Sequence, residues 1–443
     1  MSRGLPMQEI KRDRYLNRLI ESIDNGLIKV ITGLRRSGKS YLLNVLFYNY
    51  LLKEKNVDPK HIIRFAFDND RDLKKLGEDL VSLRMKKAKV DPHKFSDYLD
   101  GLIKGRGHYY VLLDEVQEMD GFEFVLNGLL SRPNVDVFVT GSNAKFLAKD
   151  IITEFRGRGD KIHILPLSFS ECSKYYDKDD DKALKKYMHF GGLPFVVLSK
   201  SDEKRVEYLK SQIEETYLTD ITSRYDVRNN VELDELLNVL ASGISGLVNP
   251  KKIACTFRSV RNSPLTEDTI GKYIKHFEDS FLVEIANRYD VKGKKYISTP
   301  YKIYFEDLGI RNARIGFRQT EYNHIMENLI YNELRFRGYS VDVGQVEIRE
   351  SIKEPNGVRK QQKHFLEVDF VANKGSKRYY IQSVYRIEDE DKLNQEIKSL
   401  KNIDDSFKKI VVSYEYTVPR YDQNGIFYIG LMDFLSDENS LDK

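Results

Sequence analysis

The sequence predicts an α/β protein with a mostly parallel sheet at its start, a helical middle part and a second α/β region at its end. Up to about residue 166, short apolar β-branched runs alternate with helical patterns, which is typical of a parallel sheet covered on both faces. After Pro166 the strand signal fades and helical patterns dominate, and strand patterns return after about residue 322. A chain of 443 residues is long enough for about two to four domains.

Composition excludes several classes of protein. Lys and Arg number 72 and Asp and Glu 68, so the net charge of +4 gives no argument for nucleic acid or a membrane surface. Cys172 and Cys255 lie far apart, which excludes a zinc ribbon and indicates no disulfide framework. The amino-terminal stretch is charged, and no apolar run is long enough to cross a membrane. We therefore expect a cytoplasmic protein without a membrane partner.

The first region contains the predicted sheet. Its strands are predicted at residues 27–32, 61–67, 109–113, 136–140 and 161–165. A helix is predicted at 122–130, and another begins after residue 40. Between the first strand and that helix the periodicity changes across a loop bounded by glycines, as a βα unit requires.

That loop, Gly-Leu-Arg-Arg-Ser-Gly-Lys-Ser at 33–40, has the spacing of a phosphate-binding P-loop. The glycines permit a wrapped backbone whose N–H groups point at phosphates, Lys39 reaches the β/γ oxygens, and the Ser40 hydroxyl contacts Mg²⁺. The predicted cofactors are therefore ATP and Mg²⁺. The predicted nucleotide-binding residues are Gly33, Arg35, Arg36, Ser37, Gly38, Lys39, Ser40 and Tyr41.

Two acids end the apolar strand at 109–113. Asp114 can hold Mg²⁺, with Ser40 as the second metal residue, and Glu115 can polarise a water molecule for attack on the γ-phosphate. This arrangement fits hydrolysis better than transfer to a second substrate. Either motif alone also fits a buried strand with a polar end, but the two in order favour a nucleotide site in which Lys39 and Glu115 are catalytic.

Small polar residues and arginines follow the fourth strand. Ser142 or Asn143 could hydrogen-bond the γ-phosphate or the attacking water, and could equally cap a helix. Arg156 and Arg158 could supply an arginine finger, within the chain or to a neighbouring subunit, although exposed arginines often have no specific role. Asn143, Arg156 and Arg158 are the further catalytic candidates.

Residues 249–289 have the outline of a winged helix: helix, turn, helix and extended stretch. The candidate DNA contacts lie on its second helix and after its strand, and they are Lys272, Lys275, Lys294 and Lys295. Winged helices also serve as protein contacts, and Glu267 and Asp268 dilute the positive face. A protein partner is therefore the alternative to DNA.

The sequence resembles the AAA-type ATP-binding proteins of bacteria and archaea over nearly its whole length. Besides the P-loop, the motifs that carry the resemblance are Leu-Asp-Glu-Val-Gln at 113–117, Thr-Gly-Ser-Asn at 140–143, Arg-Gly-Arg at 156–158, Gly-Gly-Leu-Pro at 191–194 and Glu-Asp-Leu-Gly at 306–309. The resemblance implies an AAA-type P-loop ATPase core at 1–166, a helical lid or linker at 167–245, a winged-helix domain at 246–315 and a domain related to PD-(D/E)xK nucleases at 316–443.

The nuclease-like site that this resemblance implies lacks part of its chemistry. Its acids are Glu327 on a predicted helix and Glu367 and Asp369 at the end of a strand pattern. Such a nuclease needs a further acid and, two residues later, a lysine. Those positions hold Gln382 and Val384, and only a mobile lysine such as Lys374 or Lys377 could substitute. We expect the restriction-endonuclease-like fold without cleavage.

The sequence thus predicts an AAA-type ATPase that couples nucleotide state to a winged-helix and nuclease-like half, with DNA as the favoured partner. Association with a second copy or with a protein partner is also open. The alternative function is a nucleotide-gated regulatory or scaffold protein with slow ATP turnover.

Overall fold

The computed structural model describes residues 10–141, 157–225, 227, 230–261, 265–318, 321–353, 359–386 and 390–443. It divides into two compact units. The first ends at Pro166 and adds the segment Asp279–Phe281, and the second comprises Leu167–Glu278 and Leu282–Lys443. The predicted subdivision of the later part at residues 245 and 315 stays a prediction.

The first unit is built on a parallel five-stranded sheet. Its strands are β1 Ile28–Thr32, β2 Ile62–Ala66, β3 Tyr109–Asp114, β4 Val135–Thr140 and β5 Gly159–His163. Their order is β2-β3-β4-β1-β5, and every pair is parallel. Because β1 and β3 are buried along their whole length, both faces of the sheet are covered. The predicted parallel sheet is confirmed.

The helices of the first unit follow the predicted alternation. They are Asp13–Glu21, Lys39–Tyr41, Tyr48–Lys53, Asp70–Leu73, Leu80–Lys86, Pro92–Leu102 and Phe122–Leu130. A π-helical stretch, Leu42–Phe47, joins the second and third into one helical rod that begins directly after the glycine-rich loop. One core cluster combines side chains of the sheet with side chains of the covering helices, among them Phe65, Leu113, Phe95 and Leu126.

The second unit begins with a helical stretch, as predicted. Its helices before residue 245 are Phe169–Tyr176, Asp180–Phe190, Pro194–Leu198, Asp202–Ser211, Thr219–Tyr225 and Asn230–Ser242, with a π-helical stretch at Gln212–Leu218. A capping box formed by Ser168 and Glu171 starts the first of them.

The Gly-Gly-Leu-Pro stretch at 191–194 is packed tightly against a segment that is distant in sequence. The Asp307 carboxylate accepts the Gly192 N–H at 2.7 Å. A Cβ at Gly309 would lie 1.9 Å from the Phe190 carbonyl oxygen, so only glycine fits this approach. The two motifs therefore fix one crossing of the chain.

A mixed nine-stranded sheet forms the rest of the second unit. Its strands are β6 Leu247–Val248, β7 Val283–Asp290, β8 Lys295–Phe305, β9 Ser340–Lys353, β10 Arg359–Lys374, β11 Lys377–Val384, β12 Lys408–Ser413, β13 Arg420–Tyr421 and β14 Ile426–Gly430. Their order is β13-β14-β12-β11-β10-β9-β7-β8-β6. The accompanying helices are Pro250–Arg261, Glu267–Asp279, Leu308–Arg314, Tyr322–Phe336, Glu390–Glu396, Lys398–Lys401 and Leu431–Ser436.

The predicted wing is a hairpin that belongs to this larger sheet. β7 pairs antiparallel with β8 on one side and parallel with β9 on the other, and the β9 pairing includes Asp290 next to the hairpin turn. The sheet therefore runs without interruption through the two regions predicted as winged helix and nuclease-like domain. Within the described ranges, we find no helix that is both long and apolar enough to span a membrane.

Candidate functional site

The glycine-rich loop lies at the carboxyl end of β1, in the five-stranded sheet. Gly33 and Gly38 have φ of +143° and +100°, a region that favours glycine. A Cβ at Gly33 would lie 2.1 Å from the Ile164 carbonyl oxygen, so the loop needs glycine here for space as well as for conformation. Lys39 begins the following helix, and its Nζ donates to the carbonyls of Gly33 and Leu34, both at 3.0 Å.

The other predicted loop residues differ in exposure. Arg35, Arg36 and Ser40 are exposed, Tyr41 is half-buried, and Ser37 is buried. Ser37 holds the loop in place because its carbonyl oxygen accepts a hydrogen bond from the guanidinium of Arg12 at 3.2 Å.

Asp114 ends β3 beside this loop and accepts hydrogen bonds from three side chains. Ser40 Oγ donates to its Oδ1 at 3.1 Å, Asn44 Nδ2 donates to its Oδ2 at 3.2 Å, and the Thr140 hydroxyl donates to Oδ1. Burial raises the pKa of Asp114, the Thr140 hydrogen bond opposes that rise, and the Glu115 charge adds to it. The structure thus brings together the two oxygen groups predicted for the metal, those of Ser40 and Asp114.

Glu115 follows Asp114 in a left-handed backbone conformation with φ of +52°. Its N–H donates to Thr140 Oγ1 at 3.0 Å. Its carboxylate accepts a hydrogen bond from the Gln117 amide. The acid predicted as catalytic is therefore at the same sheet edge as the loop, and a neighbour within its own turn holds its side chain.

Three residues of this edge were not predicted from the sequence. Asp68 follows β2, and its pKa is raised by burial and by the Glu115 charge, while Arg35 opposes this. The sequence signal for Asp68 is its position directly after a predicted strand, because the carboxyl ends of parallel strands meet at one edge of the sheet. Asn44 lies four residues after Ser40 on the helical rod, a spacing that puts both on one face. Thr140 gave only the weak signal of a polar residue at a strand end.

The structure places Arg158 at the opposite edge of the sheet from the loop. Its carbonyl accepts the N–H of Ile28, the first residue of β1, at 2.9 Å. The loop begins five residues later, which is roughly 16 Å along a strand. The backbone of Arg158 is therefore far from the loop, which favours a role toward a neighbouring subunit, and the predicted role as an arginine finger stays a prediction. Asn143 and Arg156 lie outside the described residues.

In the second unit, a buried lysine lies among the predicted acids. Lys302 Nζ, on β8, is 2.8 Å from Glu327 Oε1, 2.7 Å from Glu367 Oε1 and 4.0 Å from Asp369 Oδ1. Burial by itself would lower the pKa of Lys302, but the three carboxylates raise it overall. Burial raises the pKa of Glu327 to about 7, although Lys302 opposes the rise. We call Lys302, Glu327, Glu367 and Asp369 the acid–lysine cluster.

Hydrogen bonds from neighbouring side chains complete this cluster. The Tyr304 hydroxyl donates to Glu327 at 2.7 Å. The backbone N–H and hydroxyl of Ser383 donate to Asp369 at 2.8 and 2.7 Å. The carboxylate of Asp369 is thus held by β11, the strand on which the missing acid was expected.

Gln382 is not part of the cluster, contrary to its assignment from the sequence. Successive residues of a strand point to opposite faces of the sheet, so Gln382 points away from the face of Ser383. Its Oε1 lies 3.5 Å from the Ser399 hydroxyl. Val384 faces the same way and packs in a core cluster with Ile397 and Leu400.

Comparison with known proteins adds to this geometry. A family described as AAA domain matches residues 25–173, and a domain of unknown function, DUF8612, matches residues 181–321. A Haemophilus influenzae protein described as uncharacterized is 33% identical over 436 residues, which cover 96% of this chain and 98% of that protein. The chain belongs to this family of AAA-domain proteins.

Two further similarities extend across archaea. An uncharacterized Methanocaldococcus jannaschii protein is 27% identical over 420 residues, which cover 91% of this chain and 88% of that protein. A solved Walker-type ATPase of Pyrococcus abyssi is 15% identical and covers 69% of this chain and 96% of its own, with a TM-score of 0.47.

The AAA domain contains the loop, Asp114 and Glu115, whereas the lysine candidates lie in the DUF8612 region. Lys272 and Lys275 are exposed on the helix Glu267–Asp279, and Lys275 pairs with Glu278 at 2.6 Å. Lys294 and Lys295 are exposed at the hairpin turn. Lys295 lines an open cleft of about 730 Å³ whose charged residues are of both signs. Of the acid–lysine cluster, only Lys302 lies in the DUF8612 region, because Glu327, Glu367 and Asp369 lie beyond residue 321.

Proposed function

We propose that this AAA-domain protein binds ATP with Mg²⁺ and hydrolyses it, and that the nucleotide state acts on the second unit. The observation that carries the proposal is the meeting of the loop, the Ser40–Asp114 pair and Glu115 at one edge of the sheet. Each of these groups has a separate task in phosphoryl chemistry. If the roles were only structural, the glycine-rich loop would not need the two acids beside it, and the acids would not need the loop.

The loop would hold the phosphates. Backbone N–H groups between Gly33 and Lys39 and the start of the helical rod favour an anion. The Lys39 ammonium is buried and donates to two neutral carbonyls of the loop. A phosphate oxygen would be a stronger, charged partner for this ammonium than a carbonyl.

The oxygen groups of Ser40 and Asp114 fit Mg²⁺, which prefers hard oxygen ligands and a few carboxylates. When bound, Mg²⁺ neutralises charge on the β- and γ-phosphates. Asp114 is buried beside other acids, a setting that raises its pKa and favours the arrival of a cation. Asn44 and Thr140 keep its carboxylate oriented in the meantime.

Glu115 would then act on the attacking water. Its carboxylate accepts a water proton as the water oxygen attacks the γ-phosphorus, the bond to the β-phosphate oxygen breaks, and ADP leaves. The hydrogen bond from Gln117 engages this carboxylate. This bond favours the second candidate, a nucleotide-gated regulatory or scaffold protein with slow turnover, and the measured turnover rate separates the two.

ATP hydrolysis by the purified full chain with Mg²⁺ tests the proposal. We expect Mg²⁺-dependent phosphate release in the wild type. Lys39→Ala should weaken nucleotide binding at least about tenfold, the size expected when a charged hydrogen bond to phosphate is removed. Equilibrium titration with a fluorescent ATP analogue measures this.

The matched control is Lys53→Ala, an exposed lysine at the end of the same helical rod, roughly 20 Å further on. It should bind as the wild type does. If Lys39→Ala bound ATP as tightly as Lys53→Ala, the loop would not be the nucleotide site.

We further propose that the second unit contacts DNA. Support comes from the order of elements around Glu267–Asp279, which is helix, short strand, two helices and hairpin, and from the exposed lysines on that helix and at the hairpin turn. The hairpin is itself paired with β9, so its contact would come from the turn rather than from a free wing. A protein partner is the competing outcome.

Neutralising Lys272, Lys275, Lys294 and Lys295 together to glutamine should weaken DNA binding. It should also flatten the slope of log K against log salt by about 0.9 for each phosphate that the variant no longer neutralises, because fewer counterions are released. Binding to a short duplex at several salt concentrations measures the slope. A control with the same charge change replaces four exposed lysines elsewhere in the second unit, Lys182, Lys204, Lys210 and Lys401. Equal slopes in the two variants would place any DNA site elsewhere.

For the acid–lysine cluster we propose a PD-(D/E)xK-like domain that does not cleave DNA and instead serves as a binding or docking surface. The support is that the buried Lys302 ammonium already lies among the acids, at the place where a metal ion would have to bind. The two turn lysines are bound elsewhere: Lys374 Nζ donates to the Arg337 carbonyl at 2.8 Å, and Lys377 pairs with Asp442 at 2.9 Å.

A further inference from the structure

Thr140 ends β4 and is completely buried between the two acids of the nucleotide site. Its hydroxyl oxygen accepts the backbone N–H of Glu115 at 3.0 Å, and the same hydroxyl donates to the carboxylate of Asp114. A hydroxyl has one proton, and a backbone N–H can only donate. The directions of both hydrogen bonds are therefore fixed while Asp114 is ionised.

We propose that Thr140 is a positioning residue for ATP hydrolysis, one that ties the metal-binding acid to the backbone of the catalytic acid. The inference rests on the proposed function and adds a residue to it. Thr140 is not expected to touch the nucleotide; it acts through Asp114 and Glu115.

The sheet fixes where this hydroxyl lies. β3 and β4 are paired so that Leu113 is opposite Val139, which puts Thr140 beside Asp114 at the carboxyl ends of both strands. Because both strands are buried, the Thr140 side chain has little freedom to turn away.

The hydrogen bond to the Glu115 N–H also supports an unusual backbone conformation. Residues other than glycine avoid positive φ, and Glu115 has φ of +52°. At this φ the chain turns sharply after Asp114, which aims the two neighbouring carboxylates in different directions, one toward Ser40 and the other toward Gln117. Without the Thr140 oxygen the N–H of Glu115 would lose its acceptor, and the turn would lose one of its supports.

The test compares Thr140→Val, which keeps the shape and removes the hydroxyl, with Thr140→Ser, which keeps the hydroxyl and removes the methyl group. We expect Thr140→Val to lower kcat at least about tenfold, because both acids lose orientation, while its Kd for ATP stays within roughly threefold. In Thr140→Ser, both kcat and the Kd for ATP should stay within roughly threefold of the wild-type values. Fluorescent-nucleotide titration and steady-state phosphate release provide the two readouts.

A role in packing alone predicts the opposite order, because serine loses the methyl group and valine keeps the volume. Wild-type kcat in Thr140→Val, or an equal loss of kcat in Thr140→Ser and Thr140→Val, would overturn the inference. If Thr140→Val does not fold, as judged by circular dichroism, Thr140→Cys decides, since its thiol is a weak donor and acceptor. Wild-type kcat in Thr140→Cys would then count against the proposal. An inactive wild type would instead overturn the hydrolysis proposal, which separates the two failures.

Discussion

Replacement of Glu115 with glutamine is expected to reduce ATP turnover by about 10²-fold or more while nucleotide binding is kept. Glutamine has the same shape but cannot accept the water proton. The loop and the Ser40–Asp114 hydrogen bond are built from other side chains, so the phosphate and metal groups should stay in place. Single-turnover hydrolysis, measured beside the Kd of the same preparation, separates loss of chemistry from loss of binding.

The matched control is Asp120→Asn, an exposed acid five residues further along the same segment. It should leave both quantities unchanged. Equal turnover in Glu115→Gln and the wild type would remove Glu115 from the mechanism, and a parallel loss of binding would point to a role in nucleotide affinity instead.

Replacement of Lys302 with methionine is expected to lower the free energy of unfolding by about 3–5 kcal/mol, the range for breaking a buried ion pair by removing one partner. Methionine fills similar volume, so little of this loss comes from a cavity. The loss arises because Glu327 and Asp369 stay buried without their cation. Urea unfolding of the full chain, followed by circular dichroism, measures it.

The size of this loss should depend on pH. In the wild type the pKa of Glu327 is raised from 4.5 to about 7. A raised pKa stabilises the fold fully below the unfolded value, and that stability disappears as pH rises through about 7. The Lys302 ammonium lowers the pKa of Glu327, so this pKa should rise further in the variant. The difference in the free energy of unfolding between variant and wild type should therefore be larger at pH 8 than at pH 5.

Added Mn²⁺ should stabilise Lys302→Met and leave the wild type unchanged, because three carboxylates without an internal cation form an oxygen site for a metal. The wild type should leave DNA intact with Mg²⁺ or Mn²⁺. The control Lys363→Met removes an exposed ion pair with Glu347 and should leave the free energy of unfolding close to that of the wild type, because exposed ion pairs contribute little to stability. If Lys302→Met lowered the free energy of unfolding no more than Lys363→Met does, the proposed role of Lys302 would be contradicted. DNA cleavage by the wild type that disappears in Asp369→Ala would contradict the absence of nuclease chemistry.

The nucleotide site was largely predictable because its information is local. Gly33, Gly38, Lys39 and Ser40 lie within one loop, and Asp114 and Glu115 lie at the end of one strand. Apolar runs and glycine spacing report directly on a strand, a turn and a helix start. Parallel pairing then brings the strand ends to one edge, so the sequence by itself also indicated that the acids and the loop would meet.

Only the tertiary structure decided which side chains connect these groups. The Thr140 hydroxyl reaches Asp114 and Glu115 from a neighbouring strand. Asp68, which follows a third strand, lies close enough for the Glu115 charge to raise its pKa. Such contacts depend on which strands are neighbours and in what register they pair, and the local pattern of one strand contains neither.

The same limit explains what the sequence did not predict correctly in the second unit. Gln382 was assigned to the nuclease-like site by its place in a motif, but strand alternation puts it on the other face, while Ser383 reaches Asp369. Lys302 is 25 residues from Glu327 and lies in the range 246–315, which the family resemblance assigned to a winged-helix domain; only the continuous nine-stranded sheet brings it among the acids. Local spacing therefore determined the loop and its acids, whereas pairing between distant strands determined that Lys302 is the cation of the cluster. A buried carboxylate is destabilising without a charged partner, and that partner comes from strands that only the fold brings together.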